Sequence, residues 1–135
     1  MVASKVYKYA GTLDLVCTVD SQILNSFDKG KRTSKTTRLL IDFKTNKGAI
    51  YFENKLQVRA YDQAYTETSG ETVDECWILR LGSQHKTGYE FKQVDEVKIQ
   101  DFKNVYNTYL TINGGKIEEP PIVDVYPETL QFELY

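Results

Sequence analysis

The chain has 135 residues, and its 17 Lys and Arg nearly balance its 19 Asp and Glu, which leaves a formal net charge of −2. A chain of this length can bury the core of a single domain without metals or disulfides. The near-neutral balance argues against nucleic acid as a partner, because it gives no overall positive field. No signal-like or membrane-spanning apolar run is present. We therefore expect a protein without a membrane partner, either cytoplasmic or part of a particle assembled in the cytoplasm.

Short alternations of apolar and polar residues begin near the N-terminus. They cover residues 6–10 and 13–19 and predict two strands. A short helix is predicted next, since Asp20 or Ser21 can cap its start and Gly30 can end it. Its apolar stripe consists of Ile23, Leu24 and Phe27.

The middle of the chain predicts a meander of antiparallel strands. Alternating segments at 39–43, 50–52 and 56–61 are separated by short polar turns, and Gly48 suits a bulged hairpin loop. The segment 76–81 is apolar on nearly both faces, which is typical of a strand in the centre of a sheet.

The last third of the chain also reads as strands. One or two are predicted within 89–102, another at 105–112, and a final one at 130–134. Residues 119–135 begin with Glu-Pro-Pro and predict an extended C-terminal strand or arm. The fold expected from the sequence is a single all-β domain over 1–135. It would be an antiparallel β-barrel or β-sandwich of about ten strands with one short helix.

Few residues offer obvious chemistry. The two cysteines, Cys17 and Cys76, lie in separate strand patterns and are expected to be reduced core residues, with a disulfide as the alternative. One histidine and two distant cysteines do not make a zinc site, and no calcium-loop pattern occurs. We expect no metal, no cofactor and no catalytic residue. A carboxylate-based hydrolase is kept as a weaker alternative, with three candidate acids: Glu53, Asp62 and Glu90.

Charge is segregated along the chain. The segment 29–38 is basic and contains no acid, whereas the last twenty residues contain five acids and one lysine. This pattern favours a non-enzymatic structural or interaction module that forms a homo-oligomer or part of a larger assembly, such as a virus-like particle. The partner would be a second copy or another protein subunit. Seven residues are the predicted contacts: Lys31, Arg32, Lys35, Arg38, Tyr126, Phe132 and Tyr135.

A second hypothesis comes from the predicted barrel itself. Barrels of about eight strands can enclose one small ligand, and a short helix can close one end. The protein would then be a monomer that binds an apolar or aromatic small molecule. Its predicted ligand contacts are Ile23, Leu24, Phe27 and Trp77.

Overall fold

A computed structural model of the protein describes residues 1–45, 48–82 and 87–115, and within these ranges the chain folds as a mixed α/β structure. The elements follow one another in this order: β1 (Val2–Ser4), β2 (Tyr9–Gly11), β3 (Leu15–Asp20), α1 (Ser21–Asp28), β4 (Thr36–Lys44), α2 (Phe52–Ser69), β5 (Glu75–Leu81), β6 (Tyr89–Gln93) and α3 (Ile99–Ile112). None of these helices combines the length and the apolar character needed to cross a bilayer.

The main sheet has four strands in the order β3-β4-β5-β6. Its two central strands, β4 and β5, run parallel, while each outer strand pairs antiparallel with its neighbour. Parallel neighbours need a crossover connection, and α2 supplies it. The strands β1 and β2 form a separate antiparallel hairpin. This hairpin is tied to α2 by hydrogen bonds between Ala3 and Thr68 and between Tyr9 and Ala60.

The central strands carry the core on both faces. Leu40, Cys76 and Ile78 point toward α2, where they pack with Val58 and with two residues that precede α3. The opposite face consists of Leu39, Ile41 and Trp77, which pack against Leu24 of α1. The prediction that 76–81 is a central strand is confirmed, since β5 lies between β4 and β6.

The expected all-β architecture is wrong. The described chain contains three helices and six strands in two sheets, with no closed barrel, and the two sheets do not form a ten-strand sandwich. The predicted meander fails at its second and third strands, because Phe52 begins the helix α2. The short helix α1 is confirmed, and the side chain of Asp20 accepts a hydrogen bond from the backbone N–H of Gln22.

The helix α2 is difficult to detect because it is packed on several sides. It contacts the β1–β2 hairpin, α3 and the main sheet, so its apolar residues do not form one stripe. Leu56, Val58 and Ala60 happen to alternate with polar residues, and this alternation resembles a strand pattern. No Gly or Pro interrupts residues 49–69, and Gly70 ends the helix with a positive φ of 74°.

The helix α3 was also predicted to be a strand. Its inward residues Phe102 and Tyr106 are four positions apart, which is helical spacing, and their rings pack against Tyr7 of the hairpin. The expected strand or arm at 119–135 lies outside the described residues. Cys17 and Cys76 are both free thiols, as expected, and they lie on opposite faces of the sheet.

One arginine fastens α2 to the segment that leads into α3. The guanidinium of Arg59 donates to the carbonyl oxygen of Val97 at 2.7 Å and to that of Val94 at 2.5 Å. It also lies 3.3 Å from the sulfur of Cys76 and 3.6 Å from a carboxylate oxygen of Asp62. Two carbonyl groups beside the core thereby gain a charged donor.

We expect Arg59→Ala to lower the free energy of unfolding by about 2–3 kcal/mol, because charge-assisted hydrogen bonds are lost and two carbonyl groups lose their donor. Chemical denaturation followed by circular dichroism measures this change. Gln100→Ala, at an exposed position of α3, is the control and should change stability by less than about 0.5 kcal/mol. Equal effects of the two substitutions would contradict the role given to Arg59.

Candidate functional site

Two carboxylates face each other across the β3–β4 pair. Leu15 pairs with Ile41 in the antiparallel register, and continuing that register by one residue sets Asp14 opposite Asp42. The Asp14 carboxylate also accepts a hydrogen bond from the backbone N–H of Phe43 at 2.8 Å, which fixes it at the end of the strand. Like charges in directly opposite positions destabilise a sheet. Folding energetics alone therefore do not favour this pair.

Asp42 is the buried member of the pair. It is 3 % exposed, on the face of β4 that packs against α2. Burial raises the pKa of the Asp42 carboxyl, Lys44 opposes this effect, and the nearby Asp14 raises the pKa further. Asp42 Oδ2 has no aligned hydrogen-bond donor among the described residues. A buried carboxylate with a raised pKa and a charged partner is a feature of binding and catalytic sites.

A lysine lies on the same face of the strand as Asp42. Lys44 Nζ is 2.8 Å from Asp42 Oδ2, an ion pair rather than an aligned hydrogen bond. The same ammonium group donates to Gln57 Oε1 at 2.7 Å, and the Gln57 amide donates to the Tyr61 hydroxyl at 3.0 Å. One turn of α2 separates Gln57 from Tyr61. The helix therefore holds the lysine over the carboxylate pair through a chain of polar contacts.

The hairpin packs closely against this chain of contacts. A Cβ atom at Gly11 would lie 2.6 Å from Cε1 of the Tyr61 ring, so the strand can approach the ring only because this residue is glycine. The backbone of β2 thus forms one wall beside Tyr61. Asp14 and Gln57 are exposed, and they leave the other side of the group open to solvent.

The site lies where the carboxyl ends of the parallel strands β4 and β5 meet. Ligands in α/β sheets bind outside this edge. Arg80 of β5 pairs in register with Lys44, and it is buried with an ion pair to Glu90 at 3.1 Å. A second cation therefore lies beside Lys44 on the same face of the sheet.

No residue of this group was predicted from the sequence; the group consists of Asp14, Asp42, Lys44, Gln57 and Tyr61. The available signal was the segment Leu39–Lys44. In this segment an apolar strand continues with two charged residues, Asp42 and Lys44. They are two positions apart and therefore lie on the same face of the strand. A charged residue at a core position of a central strand breaks the local pattern, and such breaks mark functional sites. Because the segment was interpreted as one strand of a hairpin, the conflict between its charged residues and its core position was not recognised.

The four predicted basic contacts lie at the other end of β4. Lys31 and Lys35 are exposed. Arg32 is paired with Asp28 and Glu75 at 2.6 Å each, and Arg38 is paired with Glu71 at 2.5 Å. Both arginines are thus partly neutralised. Tyr126, Phe132 and Tyr135 lie outside the described residues, so the interaction module stays a prediction.

The predicted ligand contacts do not close a barrel. Leu24 belongs to the core, while Ile23 and Phe27 are 60 % and 48 % exposed, because α1 lies across an open sheet face. Trp77 is buried beneath that helix. Phe27 and Trp77 both line one surface pocket.

The three carboxylates proposed for a hydrolase do not form one group. Glu53 is exposed in the first turn of α2, and Asp62 lies nine residues later, about 13 Å along the helix. Glu90 is paired with Arg80. Burial raises the pKa of Asp62, and Arg59 opposes that effect.

The Asp14–Asp42 pair offers few protein ligands for a metal ion. Among the described residues, no group of three or more His, Cys, Asp or Glu side chains is arranged to hold a metal. Magnesium is nevertheless commonly bound by one or two carboxylates, with water and substrate phosphate as its remaining ligands. Comparison of the chain with known protein families, curated proteins and solved structures finds no match.

We expect Asp42→Asn to raise the free energy of unfolding by about 1 kcal/mol at pH 7 with a chelator present, because the substitution removes a buried charge. The pKa of Asp42 is higher in the folded state than in the unfolded state, where it is near 3.9. The wild type therefore loses stability as the pH rises from the unfolded-state pKa through the folded-state pKa. The gain should therefore be full at neutral pH and absent below about pH 3.9.

Thermal unfolding across this pH range measures the effect, with the exposed Glu53→Gln as the control. A destabilised Asp42→Asn protein at pH 7, or a gain that does not depend on pH, would contradict the strained carboxylate pair.

Proposed function

We propose that the protein is a divalent-cation-dependent hydrolase of nucleic-acid phosphodiester bonds. The observation that carries this proposal is the close approach of the Asp14 and Asp42 side chains where the β3–β4 pairing ends, with Lys44 Nζ 2.8 Å from Asp42. Two facing carboxylates repel unless a proton or a cation lies between them. Asp and Glu oxygens are the ligands that Mg²⁺ and Mn²⁺ prefer, and such ions activate water for attack on phosphorus.

The residues of the site have separable roles in this reaction. Asp14 and Asp42 would hold the cation. The ammonium group of Lys44 would stabilise charge that develops on the phosphate, and Gln57 would keep this group in place. The attacking water forms a bond to phosphorus and releases a proton to solvent, while the ester P–O bond breaks and the leaving oxygen takes up a proton.

Glycoside hydrolysis fits the same residues less well. Its two carboxyl groups stand at least about 5 Å apart on either side of the bond that is cleaved. Asp14 and Asp42 are close enough for a hydrogen bond between their side chains to contribute to the raised pKa of Asp42. The ammonium group of Lys44 on Asp42 also disfavours a carboxylic acid that must donate its proton.

Two exposed aromatic residues support a nucleic acid as the substrate. Tyr51 and Phe52 are 54 % and 55 % exposed at the start of α2. Phe52 lies five residues before Gln57, which is about 7.5 Å along the helix axis and about 140° around it. Exposed aromatic rings beside a phosphate site are suitable platforms for stacked bases. A local site of this kind does not require a positive net charge. The absence of such a charge was the basis for expecting no nucleic-acid partner.

The activity is tested with labelled single-stranded and duplex DNA and with RNA, in Mg²⁺ or Mn²⁺ and in chelator. We expect cleavage only with the cation. Asp42→Asn and Lys44→Ala should each reduce the rate by roughly 100-fold or more, because they remove a cation ligand and a transition-state charge. Glu53→Gln, which removes an exposed carboxylate from α2, should leave the rate unchanged.

Cleavage that survives the chelator, or an equal loss of activity in all three variants, would refute the proposed site. If the purified protein cleaves none of these substrates with either cation, the phosphodiesterase assignment is wrong.

Base stacking is tested separately with Phe52→Ala. We expect this variant to lose about tenfold or more in cleavage of single-stranded DNA, because stacking contributes about 1–3 kcal/mol per base. Hydrolysis of bis(p-nitrophenyl) phosphate, which offers no nucleobase, should be unchanged. Ile112→Ala, at a more exposed apolar position on α3, is the control. A similar loss on both substrates would indicate that Phe52 supports the fold rather than the substrate.

A further inference from the structure

A second site lies on the sheet face opposite the carboxylate pair. A pocket of about 440 Å³ opens between the C-terminal end of α1 and the strands β5 and β6. Its aromatic lining consists of Phe27, Trp77 and Phe91. The Trp77 and Phe91 rings are stacked with centroids 4.4 Å apart, and Phe27 meets Phe91 edge to face at 5.4 Å. Small-molecule sites usually have such a size and an aromatic lining.

The Trp77 side chain beneath this pocket carries an unsatisfied donor. Trp77 is 1 % exposed, and its indole Nε1–H has no hydrogen-bond partner among the described residues. A buried donor without an acceptor destabilises the folded protein, whereas a buried tryptophan usually bonds through this group. The wall of the pocket therefore contains a group that folding alone leaves unfavourable.

Polar groups at the rim of the pocket add to its specificity. Lys92, Gln93 and Asp95 line it, so a bound molecule meets an amine, which donates, an amide, which both donates and accepts, and a carboxylate, which accepts. Asp28 also lines the pocket, but Arg32 already neutralises it. The complementary ligand is planar and aromatic, with ring acceptors and exocyclic amino donors.

We propose that this pocket binds a nucleobase, either of a free nucleoside or of a single nucleic-acid strand. The exposed ring of Phe27 covers one side of the base, while Lys92, Gln93 and Asp95 contact its ring acceptors and exocyclic group. The proposal does not rest on the hydrolase activity, because none of its residues belongs to the carboxylate site.

The pocket contains its own probe, because Trp77 is the chain's single tryptophan. Adenosine and a short oligodeoxyadenylate are titrated in parallel, in chelator, while Trp77 emission is recorded. We expect a saturable change. Adenosine alone suffices if the source is a free nucleoside, whereas only the oligonucleotide saturates the signal if the source is a strand. In either case Phe27→Ala should weaken binding fivefold or more.

Ile23→Ala is the matched control, since Ile23 is an exposed apolar residue of the same helix that does not line the pocket. It should bind like the wild type. Gln93→Ala removes an amide that lines the pocket and should weaken binding about fivefold. The proposal fails if neither probe gives a saturable signal, or if Phe27→Ala and Ile23→Ala bind equally well.

Discussion

Two carboxylates lie close together at one end of the sheet, and their repulsion is the constraint that the proposed site must resolve. The register of β3 on β4 sets Asp14 beside Asp42, and the burial of Asp42 makes this proximity more unfavourable. Lys44 offsets only part of the charge, because one cation faces two anions. A chain that keeps such an arrangement in a central strand loses stability, and the loss is explained if a divalent cation occupies the gap.

The rest of the fold brings the necessary groups to this point. The parallel pair β4–β5 requires a crossover, and the crossover helix α2 begins just beyond the site, where its second turn presents Gln57 to Lys44. The hairpin then closes against Tyr61 at Gly11. Backbone pairing fixes the carboxylates, and one helix fixes the lysine. The geometry therefore depends on residues that lie between 13 and 50 positions apart in sequence.

Local patterns predicted part of this structure. The capped helix α1 and the central strand β5 could be found, because each depends on a capping residue or on a continuous apolar run. The helices α2 and α3 could not be found by searching for one apolar stripe, since α2 is contacted on several sides and α3 packs through aromatic residues four positions apart. Asp14 meets Asp42 only through strand pairing, which no sequence window reveals. The charged pair Asp42 and Lys44 in an apolar strand was the one visible signal.

The most direct test of the proposed cation site is calorimetric titration of Mn²⁺ into four proteins: the wild type, Asp14→Asn, Asp42→Asn and Glu53→Gln. We expect the wild type and Glu53→Gln to bind one Mn²⁺ per chain. Replacing either Asp14 or Asp42 should weaken the affinity for Mn²⁺ by at least about tenfold. The proposed cation site is contradicted if the wild type binds no Mn²⁺, or if the two asparagine variants bind it as tightly as the wild type does.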